Sequence, residues 1–183
     1  RLIRRQRQMC IRDRLRDEKI KLLIIGNADF SINHSTDFSV KIAAKVRDNP
    51  NIIALGYIPN DRLPEYYAIA DMQVIPSTCQ EGAGLVSVEG MAAGLPLIIT
   101  QSGGMVEYVN SDAAIQVPID KELPHNLAVN MKLLADDKHR RKKMAHAGRK
   151  RAELFSRERY YKSFVDIFEK SMSVREANKN ACD

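Results

Sequence analysis

The stretch VIPSTCQEGAGLVSVEGMAAGLPLIITQSGGMVE, Val74 to Glu107, decides the fold class. An apolar run stops at Pro76, a small polar loop leads into Gly82-Ala83-Gly84, and a helix begins at about Gly84 or Leu85 and runs to Ala93. A second apolar run, Leu97 to Ile99, follows at once. Strand, loop, helix and strand at such short spacing describe a βαβ unit rather than a hairpin.

The same alternation extends on both sides. Strand candidates are Lys21 to Ile25, Ile52 to Leu55, Met72 to Ile75, Leu97 to Ile99 and Ala114 to Val117, most of them continuously apolar, as strands covered on both faces should be. Helix candidates between them are Thr36 to Arg47, Asp61 to Ile69 and Gly84 to Ala93, with a short turn at Met105 to Val109. After Val117 only helices are expected: one over Lys121 to Ala135 with Asp120 as N-cap, one over Lys138 to Leu154, and a last one after Ser156, the tail packing back across the fold. The expectation is one α/β domain, a Rossmann-like parallel sheet with flanking helices, over residues 20–173, with a flexible C-terminus at 174–183.

Charge is unevenly placed. The formal net charge is +6, but the first 20 residues hold eight Lys/Arg against three acids, so the remainder is nearly balanced and a polyanionic partner such as nucleic acid is not indicated. Residues 1–19 lack periodicity and the strand expected before Leu22; they are read as a non-native or disordered basic tail. A second basic run, Lys138 to Arg151, carries eight Lys/Arg and no acid, which reads first as a solvated helix face and second as attraction to anionic lipid or phosphate. Cys10, Cys79 and Cys182 have neither disulfide nor metal spacing, and no run approaches the ~18 apolar residues of a membrane span. A cytoplasmic chain is the simplest reading, with contact at the inner face of a membrane left open.

The chemistry concentrates at the start of the helix after Gly84. Free N–H groups at a helix N-terminus, reinforced by the helix dipole, favour an anion such as phosphate, and glycines let the ligand approach the backbone. Glu81 precedes that mouth and Glu89 follows it by about 6–7 Å along the axis at ~1.5 Å per residue. Ionised carboxylates only accept hydrogen bonds, and sugar hydroxyls are natural donors to them. Glu89 can hold the ribose and Glu81 the transferable hexose of a nucleotide diphosphate sugar, with phosphates between. Taken alone, a Gly-rich turn before a helix is more often only a structural start; Ala92-Ala93-Gly94-Leu95-Pro96 reads as close packing, Glu107 as a helix-start residue, and His34, His125, His139 and His146 as surface residues.

Glu81, Gly82, Gly84, Leu85 and Glu89, followed by Met91-Ala92-Ala93-Gly94-Leu95-Pro96, resemble the Glu-x7-Glu motif of family-four retaining glycosyltransferases, also described as glycosyl transferases group 1. The resemblance covers about Lys19 to Lys170 and includes Leu55-Gly56-Tyr57, Leu63-Pro64-Glu65-Tyr66-Tyr67, Ala70-Asp71, Pro76-Ser77 and Gly103-Gly104. It implies a GT-B fold of two facing Rossmann-like domains, this chain being the C-terminal, donor-binding one and lacking the N-terminal acceptor domain. It further implies that Glu89 binds ribose hydroxyls and that Glu81 contacts the donor sugar, as a catalytic positioner rather than a nucleophile. The amides of Ala83, Gly84, Leu85 and Val86 would serve sugar and phosphate, with Tyr57 and Ile58 near the base and Gly26 at the carboxyl edge of the sheet. Position 83 is Ala where the family often has Phe, which alters the shape of the sugar pocket.

No Asp-x-Asp occurs, so neither a metal nor any other cofactor is expected; the nucleotide diphosphate sugar is substrate. In the resembling family an Arg and a Lys after the domain's first strand offset the diphosphate charge, and neither maps onto Arg1 to Lys19. The implied whole enzyme is a hexosyltransferase of polysaccharide synthesis, and the isolated chain is expected to bind donor weakly and transfer nothing. The alternatives are a nucleotide-sugar epimerase of the same fold and a non-catalytic sugar-nucleotide-binding fragment. A nicotinamide-binding protein would show Gly-x-Gly-x-x-Gly after its first strand, where Gly26 is followed by Asn27-Ala28-Asp29.

Overall fold

The computed structural model describes residues 20–26, 44, 46–82 and 84–180, with side-chain burial through residue 173. The basic tail at 1–19, His34, most of the helix expected at 36–47, and Ala83 lie outside them. Among the described residues five strands form: β1 (Leu22–Ile25), β2 (Ile52–Gly56), β3 (Gln73–Ile75), β4 (Leu97–Thr100) and β5 (Ala114–Val117). The helices are α1 (Leu63–Ile69), entered through a 3-10 turn at Asn60–Arg62, then α2 (Leu85–Ala93), α3 (Met105–Tyr108), α4 (Leu123–Asp136), α5 (Lys138–Ala152) and α6 (Arg157–Asn180), with a 3-10 turn at Glu153–Phe155 between the last two.

All strand pairs are parallel, as the alternation with helices requires, but they fall into two hydrogen-bonded groups. In the first, β1 lies beside β2 with Leu22 opposite Ile52 and a register shift between Ile24 and Ile25. In the second, β4 lies between β3 and β5, with Leu97 opposite both Gln73 and Ala114. A continuous apolar run marks a segment as a strand without saying which neighbour it pairs with, so this grouping was not readable from the sequence.

The core is organised by β4, whose four residues are all buried. Side chains of a strand alternate between faces. Leu97 and Ile99 accordingly pack with Ile75, Met91, Met105 and Val109, under α2 and α3, while Ile98 packs with Leu123, Leu127, Met131 and Leu134 of α4. That α4 quartet recurs every three to four residues and so forms one helical stripe. The α4 start is two residues later than expected, and Asp120 is not its cap; the Asp120 carboxylate instead accepts the Glu122 N–H at 2.9 Å. A start at Lys121 would drive the Pro124 ring against the carbonyl of residue 120, whereas Pro124 fits within the first turn of the helix as it stands.

Helix α5 seats its buried residues Met144, Gly148 and Ala152 along one face, with Gly148 against Met91 of α2. Its basic character is only partly a solvated face. Arg141 donates to the carbonyls of Leu134 (2.5 Å) and Ala135 (2.7 Å), closing the last turn of α4, and Arg151 donates to those of Tyr108 (2.9 Å) and Glu107 (2.7 Å) at the end of α3. Helices α4 and α5 pack back on the sheet as expected, but α6 does not: Tyr160, Tyr161, Phe164, Ile167 and Phe168 remain exposed along it.

Candidate functional site

The loop from Pro76 to Gly84 joins β3 to α2 at the carboxyl end of the three-stranded sheet, where open α/β sheets bind ligands. It is fastened from behind by the end of β4. Thr100 Oγ1 donates to the Ser77 carbonyl and, at 3.3 Å, to that of Ile75; Ser102 Oγ donates to the Cys79 carbonyl; and the Gly104 N–H donates to the Glu81 carbonyl at 2.8 Å. Ser77, Thr100 and Ser102 are buried polar residues, so each needs such a partner. The fit leaves no room for side chains beneath the loop. A Cβ on Gly103 would lie 2.3 Å from the Glu81 carbonyl oxygen, and one on Gly104 would lie 2.2 Å from that of Gly82.

This anchoring fixes Glu81. Its side chain is half-buried and accepts a 2.5 Å hydrogen bond from Ser77 Oγ, so one oxygen is committed to the protein. Beyond it the chain turns through Gly84, whose left-handed backbone (φ 57°, ψ 43°) suits glycine. The Ser87 N–H (2.8 Å) and Oγ (2.7 Å) both donate to the Gly84 carbonyl, which closes the first turn of α2. Helix geometry leaves the first-turn N–H groups of Leu85 and Val86 without a carbonyl four residues back inside the helix. Both residues are exposed at the side chain, so this mouth opens outward.

Glu89 sits in the same helix, about 6 Å beyond Leu85 along the axis. It is exposed, and its Oε2 accepts a 2.9 Å hydrogen bond from Tyr67 Oη of α1. Burial, and then this bond to a carboxylate, push the Tyr67 phenol well above its ordinary value of 10.0. Gly26, Tyr57 and Ile58 belong to the other strand pair: the Gly26 N–H bonds the Gly56 carbonyl at 2.7 Å, and Tyr57 and Ile58 leave β2 toward α1, with Tyr57 exposed. Glu107 lies in α3 and lends its carbonyl to Arg151, and His125, His139 and His146 are exposed, as expected of surface residues.

Sequence reading did not single out Tyr67, Gln73, Ser77, Thr100 or Ser102 as site residues. The Gly103-Gly104 pair was the available signal for the last two, since adjacent glycines after a buried strand mark a close backbone approach. Among the described residues no three His, Cys, Asp or Glu gather in metal-binding fashion. No described helix is long and apolar enough to cross a membrane.

An α/β domain with parallel strands, a helix mouth at their carboxyl end and a carboxylate on either side of it defines a class of ligand-binding Rossmann-like proteins. Residues 4–151 match the family of glycosyl transferases group 1, and the chain belongs to that family. A D-inositol 3-phosphate glycosyltransferase of Corynebacterium kroppenstedtii is 28% identical over 154 residues, which span 84% of this chain and 34% of that protein. Sucrose-phosphate synthase from Thermosynechococcus elongatus superposes with a TM-score of 0.77 over 93% of this chain and 43% of its own, at 23% identity. Anabaena Alr3699/HepE, solved in complex with UDP-glucose, gives 0.68 over 80% of this chain and 40% of its own, at 20% identity. These likenesses confirm the GT-B type of fold, and the chain spans 22% and 34% of the first two curated relatives it matches.

Proposed function

We propose that this chain is the donor-binding part of a retaining glycosyltransferase and holds a nucleotide diphosphate sugar at the mouth of α2. The observation that carries the reading is the placement of Glu81 and Glu89 on either side of an outward-facing helix start, on a loop braced by β4. The first-turn amides take phosphate oxygens, Glu89 accepts from ribose hydroxyls, and Glu81 faces the transferred sugar. Gly82, Ala83 and Gly84 let the donor approach the backbone, and Gly26, Tyr57 and Ile58 lie toward the base. The acceptor substrate supplies the hydroxyl, and the groups that bind it and the cations that offset the departing diphosphate lie outside the residues named here. Glu81 positions the sugar while it ionises to an oxocarbenium-like species, and the departing diphosphate takes the acceptor proton. Family membership and the UDP-glucose complex of Alr3699/HepE support the donor class.

The test is thermal shift with UDP-, GDP- and ADP-sugars against NAD. A ligand that binds only the native state at about 100 times its Kd stabilises by ~2.7 kcal/mol. At least one sugar nucleotide should raise the midpoint, NAD should not, and Glu89→Ala should abolish the shift. Equal shifts with NAD, or none with any sugar nucleotide at millimolar concentration, would overturn the reading. Measurable sugar transfer by this chain alone would refute the division of labour.

A further inference from the structure

We propose that Tyr67 is the positioning residue of the site, holding the Glu89 carboxylate in one orientation through its hydroxyl so that the other oxygen meets the ligand. The inference rests on the donor reading above and deepens it. Glu89 is an exposed glutamate on a helix, and such a side chain ordinarily samples several rotamers. Here Tyr67, 22 residues earlier and on a different helix, donates to Glu89 Oε2 at 2.9 Å. The phenol ring itself is fixed, being half-buried against the cluster that contains Met91 and Leu97.

A third residue braces the pair. Gln73, on β3, donates through Nε2 to the Val86 carbonyl in the first turn of α2 at 3.2 Å, and its amide lies beside the Tyr67 hydroxyl. Gln73 Oε1 occupies the space next to Gly90, where a Cβ would come within 1.7 Å of it. A partly buried polar residue at the start of β3, lying over a helical glycine, is hard to explain by packing alone. Linking β3, α1 and the first turn of α2 around one carboxylate explains it.

The choice of donor matters chemically. Among the described residues Glu89 has no ion pair. An Arg or Lys would orient the carboxylate but also neutralise it and compete with ligand hydroxyls, whereas a neutral phenol fixes one oxygen and leaves the negative charge for the ligand. Tyr67 therefore acts on ribose recognition through Glu89 and touches no ligand itself.

The experiment compares Tyr67→Phe, Glu89→Gln and wild type by isothermal titration with whichever of UDP, GDP and ADP binds tightest, and with its 2′,3′-dideoxy counterpart. The ratio of the two affinities reports ribose recognition, and the dideoxy ligand reports the folded state and the phosphate site. Tyr67→Phe keeps the ring and its packing, and should weaken the ribonucleotide about three- to tenfold while leaving dideoxy binding unchanged. Equal weakening of both ligands would make Tyr67 merely structural and overturn the proposal. An unchanged ratio in Tyr67→Phe alongside a collapsed one in Glu89→Gln would overturn it and leave the donor reading standing. If Glu89→Gln does not alter the ratio, or no nucleotide binds, the donor reading fails and this inference falls with it.

Discussion

Replacing Gly104 by alanine should damage the site from behind. The new Cβ would lie 2.2 Å from the Gly82 carbonyl oxygen, where ordinary contact begins at 3.4 Å, so backbone must shift by about 1 Å. Neither partner is a flexible side-chain tip: both are main chain, one in the turn before α3 and one in the loop before α2. Overpacking of this kind costs about 1–3 kcal/mol, and loss of the Gly104 N–H to Glu81 carbonyl bond would cost a further ~0.5–1.5 kcal/mol, giving about 1.5–4.5 kcal/mol in all. If the loop yields instead of the fold, the loss moves to ligand binding, where each ~1.4 kcal/mol is tenfold in affinity. Urea denaturation and isothermal titration with the preferred sugar nucleotide, run on the same preparation, measure both. Gly82→Ala is the control, because nothing lies within 4 Å of its Cβ; its stability should stay within about 0.5 kcal/mol of wild type. A Gly104→Ala protein with stability within about 0.5 kcal/mol and affinity within about twofold of wild type would refute the claim that β4 braces the loop.

Further outcomes follow from other parts of the molecule. Arg141→Ala removes two carbonyl contacts at the end of α4 and should lower stability by about 1–3 kcal/mol in urea, whereas Asp71→Asn, whose carboxylate is 81% exposed and 3.7 Å from Arg141, should cost well under 1 kcal/mol. The raised Tyr67 phenol gives a pH signature: its bonded, protonated form contributes stability that is fully present below the ordinary value of 10.0 and is lost as pH rises through the higher folded value. Absorbance titration of wild type minus Tyr67→Phe should therefore show one phenol ionising late, and its titration in the ordinary range would contradict the bond to Glu89.

The class of the fold was legible because β4 and its neighbours are short apolar runs separated by helix-period segments, and the strand bounds observed differ from expectation by a residue or so. The helix mouth and its two carboxylates were legible because glycine and glutamate at fixed spacing carry local geometry. What was not legible depends on contacts between distant segments. Thr100 and Ser102 look like ordinary polar residues at a strand end until the loop carbonyls 23 residues earlier are placed over them. Tyr67 entered the sequence reading only as part of Leu63-Pro64-Glu65-Tyr66-Tyr67, and nothing in its neighbours along the chain points to Glu89. Arg141 and Arg151 were hidden in a basic run whose composition suggested a solvated face or an anionic surface, yet each ties α5 to the end of another helix. The exposed aromatic residues of α6 failed in the opposite direction, since helical periodicity says that a face is apolar but not that it is covered.

The bracing of the Pro76–Gly84 loop by Thr100, Ser102 and Gly104 also sets the size of the piece that can be exchanged between relatives. Grafting a foreign loop between β3 and α2 to change sugar preference would import carbonyls shaped for another strand end. Residues 76–84 and 100–105 thus behave as one heritable cassette written in two places, and an engineer who moves the first without the second inherits the motif but not its shape.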